Sequence, residues 1–193
     1  VNRTLVDRFK QEARLSASLD HPNLVSVYEF GEIQGYYYIE MAYMAGGSLK
    51  EFLQRTGALH PETALNLISQ LANGLGYAHI NNIIHLDLKP GNILLGEDEN
   101  PRISDLGFAK TFSSETSLSM SVSGGLVGTP GYMAPEIWKE HRASPATDIY
   151  SLACIFVEML TGKPLFDAET TPGIMLKHFE PVVLPPGIPQ KWQ

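Results

Sequence analysis

A chain of 193 residues that is 44% hydrophobic and 18% charged has the composition of a globular protein, which excludes a disordered or low-complexity segment. Its 14 Lys and Arg against 21 Asp and Glu leave a net charge of −7, the wrong sign for a nucleic-acid surface, so no nucleic-acid partner is expected. The single Cys154 excludes an intramolecular disulfide and fits a reducing, cytoplasmic setting, and the longest apolar stretch, Ile149 to Leu160, is too short to span a bilayer.

In chain order, residues 4 to 19 place Leu5, Phe9 and Ala13 on one face with Leu15 and Leu19 nearby, which predicts a helix stopped by Asp20-His21-Pro22-Asn23. Two strands are expected next, Leu24 to Phe30 and Tyr36 to Met41, around a Gly31 to Gly35 turn. Ala45-Gly46-Gly47-Ser48 is a flexible break, so the predicted division is 1-44 and 45-193. A helix starts near Leu49, and Pro61 opens a long amphipathic one carrying Leu65, Ile68, Leu71, Leu75 and Ala78. Asn92 to Leu95 and Arg102 to Ser104 are expected as short strands, and residues 111 to 125 as a Ser/Thr-rich loop. The pattern from Pro145 to Leu160 is apolar nearly all round, as in a buried helix, and Gly162 and Pro164 end it. The chain opens on Val1, with no Met and no signal peptide, and stops at Trp192-Gln193, so a fragment is expected, one carrying no membrane segment of its own.

The segment His85-Leu86-Asp87-Leu88-Lys89-Pro90-Gly91-Asn92 crowds an acid, an ammonium and an amide into one loop. Singly, an Asp or Asn in a loop is usually a turn or cap residue, and a His behind Ile83-Ile84 is a core histidine. Jointly, His-x-Asp-x-Lys-Pro-x-Asn fixes enough residue types to arise by chance on the order of 10⁻⁴ times in such a chain. The array resembles the catalytic loop of protein kinases, and further segments follow in the family's order. Asp105-Leu106-Gly107 resembles the magnesium-binding Asp-Phe-Gly, with Leu for Phe. Gly128-Thr129-Pro130 and Ala134-Pro135-Glu136 resemble the end of the activation segment, and Asp148-Ile149-Tyr150-Ser151-Leu152 the start of the helix that anchors the large lobe. The stretch from Phe9 to Glu32 is closest to bacterial-type Ser/Thr kinases.

The resemblance implies an α+β, two-lobed fold: a partial small lobe over 1-44 and a mostly helical large catalytic lobe over 45-193. It implies transfer of the γ-phosphate of ATP, with Mg2+, to Ser/Thr hydroxyls of a protein substrate. By that resemblance Asp87 accepts the hydroxyl proton, Lys89 neutralises charge on the moving phosphate, and Thr129 ties both to the substrate shelf. Asn92 and Asp105 hold the metal. Glu12 matches the acid that pairs with a phosphate-holding lysine, Met41 lies beside the adenine, Ala42 and Met44 bond its edge, and Leu94 lies beneath it.

Departures accompany the match. No Gly-x-Gly-x-x-Gly and no Val-Ala-x-Lys occurs, so the piece alone is expected to bind ATP weakly. Leu86 stands where regulated relatives carry an Arg that receives a loop phosphate, and Ser16 stands where the family packs an apolar residue. The leading expectation is therefore part of an active kinase. A non-catalytic kinase-like scaffold is a second reading, opposed by the intact Asp87, Asn92 and Asp105. A small-molecule phosphotransferase of related fold is a third, opposed by Lys89-Pro90 and by the Gly128 to Glu136 segment.

Overall fold

In the computed structural model, which describes residues 17–105, 110–111, 128–140, 142–185 and 188, strands β1 (Val27–Ile33) and β2 (Tyr36–Met41) form an antiparallel hairpin. Gln34 and Gly35 both take positive φ, 53° and 82°, as in the two-residue turn whose twist suits paired strands. The expected Gly31 to Gly35 turn is thus corrected: the strand runs through Gly31 to Ile33. Gly31 faces Tyr38, and a Cβ there would approach the Tyr38 hydroxyl to 2.7 Å, so this glycine makes room for a ring. Leu24, expected to open the strand, makes only an isolated parallel bridge to Ile103.

The break before residue 49 ends in a capping box. Ser48 Oγ accepts the Glu51 N–H at 3.2 Å while Ser48 N–H donates to Glu51 Oε2 at 2.8 Å, which starts α1 (Leu49–Thr56). Pro61 opens α2 (Pro61–Ile80), whose buried stripe is Ala64, Leu67, Leu71, Gly74, Leu75 and Ala78. Leu65, expected on that stripe, is 49% exposed, because it sits one helical step off it. Gly74 lets α2 lie against the preceding loop: a Cβ there would meet the Asn23 carbonyl at 2.9 Å. The Asn23 side chain in turn donates to the Pro101 carbonyl at 3.1 Å.

Strand β3 (Ile83–Ile84) pairs with β6 (Lys110–Thr111), and β4 (Ile93–Leu95) with β5 (Pro101–Ile103), both antiparallel. The first expected strand is shortened by one residue at its start and the second is displaced by one. Asn92 belongs to a short 3-10 turn, Pro90–Asn92, and Pro101 opens β5, where a missing N–H does least harm.

Three helices complete the described chain: α3 (Pro135–Glu140), α4 (Pro145–Thr161) and α5 (Thr171–Lys177). Leu152, Ile155 and Met159 of α4 join Leu71 and Leu75 of α2 in the main core, each large side chain stabilising the fold by about 1.5–3 kcal/mol. α4 is not apolar all round. Asp148, Ser151 and Glu158 are buried while Ile149 is 51% exposed, so its inner face carries polar groups with partners to satisfy. Gly162 ends it in the left-handed conformation, φ 71°, its N–H bonded to the Glu158 carbonyl.

The architecture is α+β, as expected. Of the helix expected over 4 to 19 only its end falls among the described residues, where Ala17 is helical. Glu12, Ser16, Leu106-Gly107 and the Ser/Thr-rich loop apart from Thr111 lie outside them. No helix among the described residues is long and apolar enough to cross a membrane.

Candidate active site

The loop after β3 is held from below by one carboxylate. Asp148, in the first turn of α4 and fully buried, accepts the His85 N–H on Oδ2 at 2.9 Å and the Leu86 N–H on Oδ1 at 3.0 Å. His79 Nε2, near the end of α2, sits 2.8 Å from the same Oδ2. These bonds hold Leu86 at φ 70°, a left-handed conformation that costs a non-glycine residue on the order of 1–3 kcal/mol. The Leu86 side chain packs in a second apolar cluster with Ile84, Met133, Ala134 and Ile137. Polar bonds to the backbone and apolar packing of the side chain therefore fix the same residue.

His85 is the buried core histidine expected, and it also holds the loop. Its Nδ1 accepts the Asp87 N–H at 3.3 Å, which makes Nε2 the donor to the Ser104 carbonyl at 2.9 Å. The imidazole thus joins the loop to the residue preceding Asp105.

Above this support four side chains meet. Thr129 Oγ1 donates to Asp87 Oδ1 at 2.6 Å, and Lys89 Nζ donates to Asp87 Oδ2 at 2.6 Å and to Thr129 Oγ1 at 3.1 Å. Asn92 Nδ2 donates to the Asp87 carbonyl at 2.9 Å and reaches Asp87 Oδ2 at 3.4 Å. The Asp87 side chain is 3% exposed and that of Lys89 31%. A buried carboxylate with an ammonium and a hydroxyl on its two oxygens is a preorganised anionic acceptor, and the ammonium keeps a solvent-facing side.

Beside it lies a pocket of about 150 Å³ whose lining includes Met41, Leu94, Ile103, Ser104 and Asp105. Asp105 is exposed and also takes a left-handed φ of 61°. It follows Ser104, whose N–H and Oγ both donate to the Asn92 carbonyl, at 2.9 and 3.1 Å. Asn92 and Asp105 are thereby carried on bonded neighbours. With Nδ2 engaged by Asp87, the amide oxygen of Asn92 is the atom left to offer. That oxygen and the Asp105 carboxylate are the hard donors that magnesium takes.

Of the residues singled out in the sequence, Asp87, Lys89, Asn92 and Thr129 are in direct contact, and Met41, Leu94 and Asp105 share the pocket. Ala42 and Met44 do not line it. The Ala42 N–H is engaged by the Ser26 carbonyl at 2.9 Å, leaving its own carbonyl as the group it can present, and Met44 is buried with its sulfur 3.5 Å from Arg102. Glu12 lies outside the described residues. Sequence reasoning placed Asp148 in a buried helix without seeing its task, and it missed His79 and Ser104. The available signal was a carboxylate inside an apolar pattern, which must find donors if it is buried.

A protein-family model described as "Protein kinase domain" matches residues 2–188. The chain is 40% identical over 175 residues to "Serine/threonine-protein kinase PrkC" of Bacillus subtilis, covering 91% of this chain and 26% of that protein. It is 35% identical over 189 residues to "Serine/threonine-protein kinase PknH" of Mycobacterium tuberculosis, covering 95% and 30%. Against "Probable serine/threonine-protein kinase PknB" of Bifidobacterium longum the identity is 33% over 199 residues, covering 96% and 29%. The chain therefore spans between a quarter and a third of the length of these curated relatives.

Proposed function

The chain belongs to the protein kinase family, and from that premise we propose that it carries the transfer centre of an enzyme moving the γ-phosphate of ATP to Ser/Thr hydroxyls of protein substrates. The observation that carries this reading is the contact of Thr129 and Lys89 with the two oxygens of Asp87. It joins segments 42 residues apart into one acceptor.

In this reading Asp87 orients the substrate hydroxyl and accepts its proton, a role in which a placed carboxylate gives typically ~10²–10⁴ in rate. Lys89 is near enough to share its charge between Asp87 and the transferring group. Thr129 fixes the carboxylate relative to the segment on which a substrate peptide would lie. Asn92 and Asp105 would hold magnesium, which when bound neutralises phosphate charge. Met41 and Leu94 would flank the adenine, with the Ala42 carbonyl and the Met44 backbone at its edge, and Glu12 would serve the phosphate side. The division into a partial small lobe, 1-44, and a partial large lobe, 45-193, belongs to the same proposal, as does a cytoplasmic setting.

The decisive experiment replaces Asp87 in the full-length protein. Asp87→Asn should cut phosphate transfer from ATP to a Ser/Thr peptide at least ~10²-fold while nucleotide binding by titration calorimetry stays nearly intact. Unchanged turnover would remove Asp87 from the chemistry.

A further inference from the structure

His178, directly after α5 and 6% exposed, makes two side-chain hydrogen bonds that the site as described does not use. Its Nε2 lies 2.8 Å from the Pro130 carbonyl and its Nδ1 2.7 Å from the Tyr150 hydroxyl. A carbonyl only accepts, so Nε2 carries the hydrogen. Burial pushes the Tyr150 phenol well above its ordinary range, so it stays an O–H and donates to Nδ1. Burial also holds the imidazole below its usual value, which favours the neutral form that both contacts require. Phe166 and Trp138 enclose the ring, at centroid distances of 4.1 and 6.3 Å. The neighbouring charges are engaged elsewhere: Glu136 with Thr147, Lys139 over the Phe179 ring, and Lys177 with the Asp167 carbonyl.

The two partners of this ring lie on the two segments that support the Asp87 loop. Pro130 follows Thr129, whose hydroxyl lies on Asp87 Oδ1 at 2.6 Å. Tyr150 is on α4, two residues after the Asp148 that holds the loop's backbone. The imidazole therefore ties the Thr129 segment to the helix that carries the catalytic loop. We propose that His178 is a positioning residue for phosphoryl transfer, setting Thr129 against Asp87 through its bridge from Pro130 to Tyr150. This rests on the transfer reading above and adds the residue that would register its two halves. A misplacement of about 1 Å at such a site can cost ~10²-fold in rate.

The test uses the full-length protein, ATP with magnesium, and one Ser/Thr peptide. His178→Phe keeps the ring packing and removes both bonds; kcat should fall about tenfold or more, with the KM for ATP unchanged. His178→Gln can still reach Pro130 with an amide N–H and should recover most of kcat, whereas His178→Asn, too short for that contact, should not. In a Thr129→Val background His178→Phe should add little, because the hydroxyl it positions is gone. Normal kcat in a folded His178→Phe protein would overturn the proposal, as would losses that simply add in the double variant. If the Phe variant does not fold, equal activity of the Gln and Asn variants overturns it instead. A wild-type protein that transfers no phosphate overturns the transfer reading itself, which separates the two failures.

Discussion

The loop proposed as catalytic and the pocket proposed for the nucleotide are neighbours built in opposite ways. Around Asp87 the side-chain supports are polar and directional, Thr129 and, beneath it, Asp148 of α4 from distant chain and His85, Lys89 and Asn92 from the loop itself. The pocket wall is mostly apolar, formed by residues such as Val27, Ile39, Met41 and Leu94, with Met41 45% exposed. A carboxylate that must meet a proton at the right moment tolerates little displacement, since charge and angle both matter. A flat ring held by apolar contact tolerates more, because dispersion and burial depend weakly on orientation. If that contrast is right, substitutions on the two sides should fail differently.

The largest effect should come from removing the shared support. Asp148→Ala leaves the His85 and Leu86 amides and the His79 ring without their buried acceptor, at a cost of about 3–5 kcal/mol. A thermal melt should drop by roughly 10 °C, and transfer should vanish with it. A well-folded, active Asp148→Ala protein would mean the loop holds its shape by packing alone.

Thr129→Val should be smaller in stability and sharper in function. The hydroxyl is half-buried, so its loss costs about 1 kcal/mol of folding. Transfer should fall ~10-fold or more, with the KM for ATP little changed, measured by steady-state kinetics on a peptide. A large fall in melting temperature with normal turnover would make Thr129 structural and blur the contrast.

The smallest effect is expected in the pocket. Leu94→Ala should raise the KM for ATP by only ~3–10-fold, about 1 kcal/mol of lost apolar contact, and leave kcat nearly unchanged. A collapse of kcat instead would show that the pocket wall also sets the loop, and the two regions would no longer be separable.

These differences also mark what could be read from the sequence. Asp87, Lys89 and Asn92 were legible because they occupy one short segment at a fixed spacing, and Thr129 because its own segment resembles the family's. The tasks of Asp148 and His178 were not. These residues act on the backbone and on a carbonyl, 63 and 48 residues away, and sequence separation of that kind leaves no local pattern. An Asp in the first helical turn reads as a favourable end charge, which hides its role as an acceptor for another loop. The long helices followed from periodicity, and the fold class from the resemblance of the loop motifs to those of protein kinases. Gly31 misled because glycine usually signals a turn, and only the Tyr38 ring opposite explains it. Leu65 misled because a stripe inferred from large side chains overlooks Ala64 and Gly74, which are small and buried.

Asp148 has one more consequence, in hydrogen exchange. The amide hydrogens of His85 and Leu86 are bonded to a side chain on a helix that lies in the main core, so they cannot be released while α4 keeps its place. Their exchange with solvent deuterium is therefore coupled to global unfolding, although they sit in a loop, where amides usually open locally. The β1–β2 hairpin, with Tyr28, Ile33 and Tyr36 each at least 60% exposed, belongs at the opposite end of that scale.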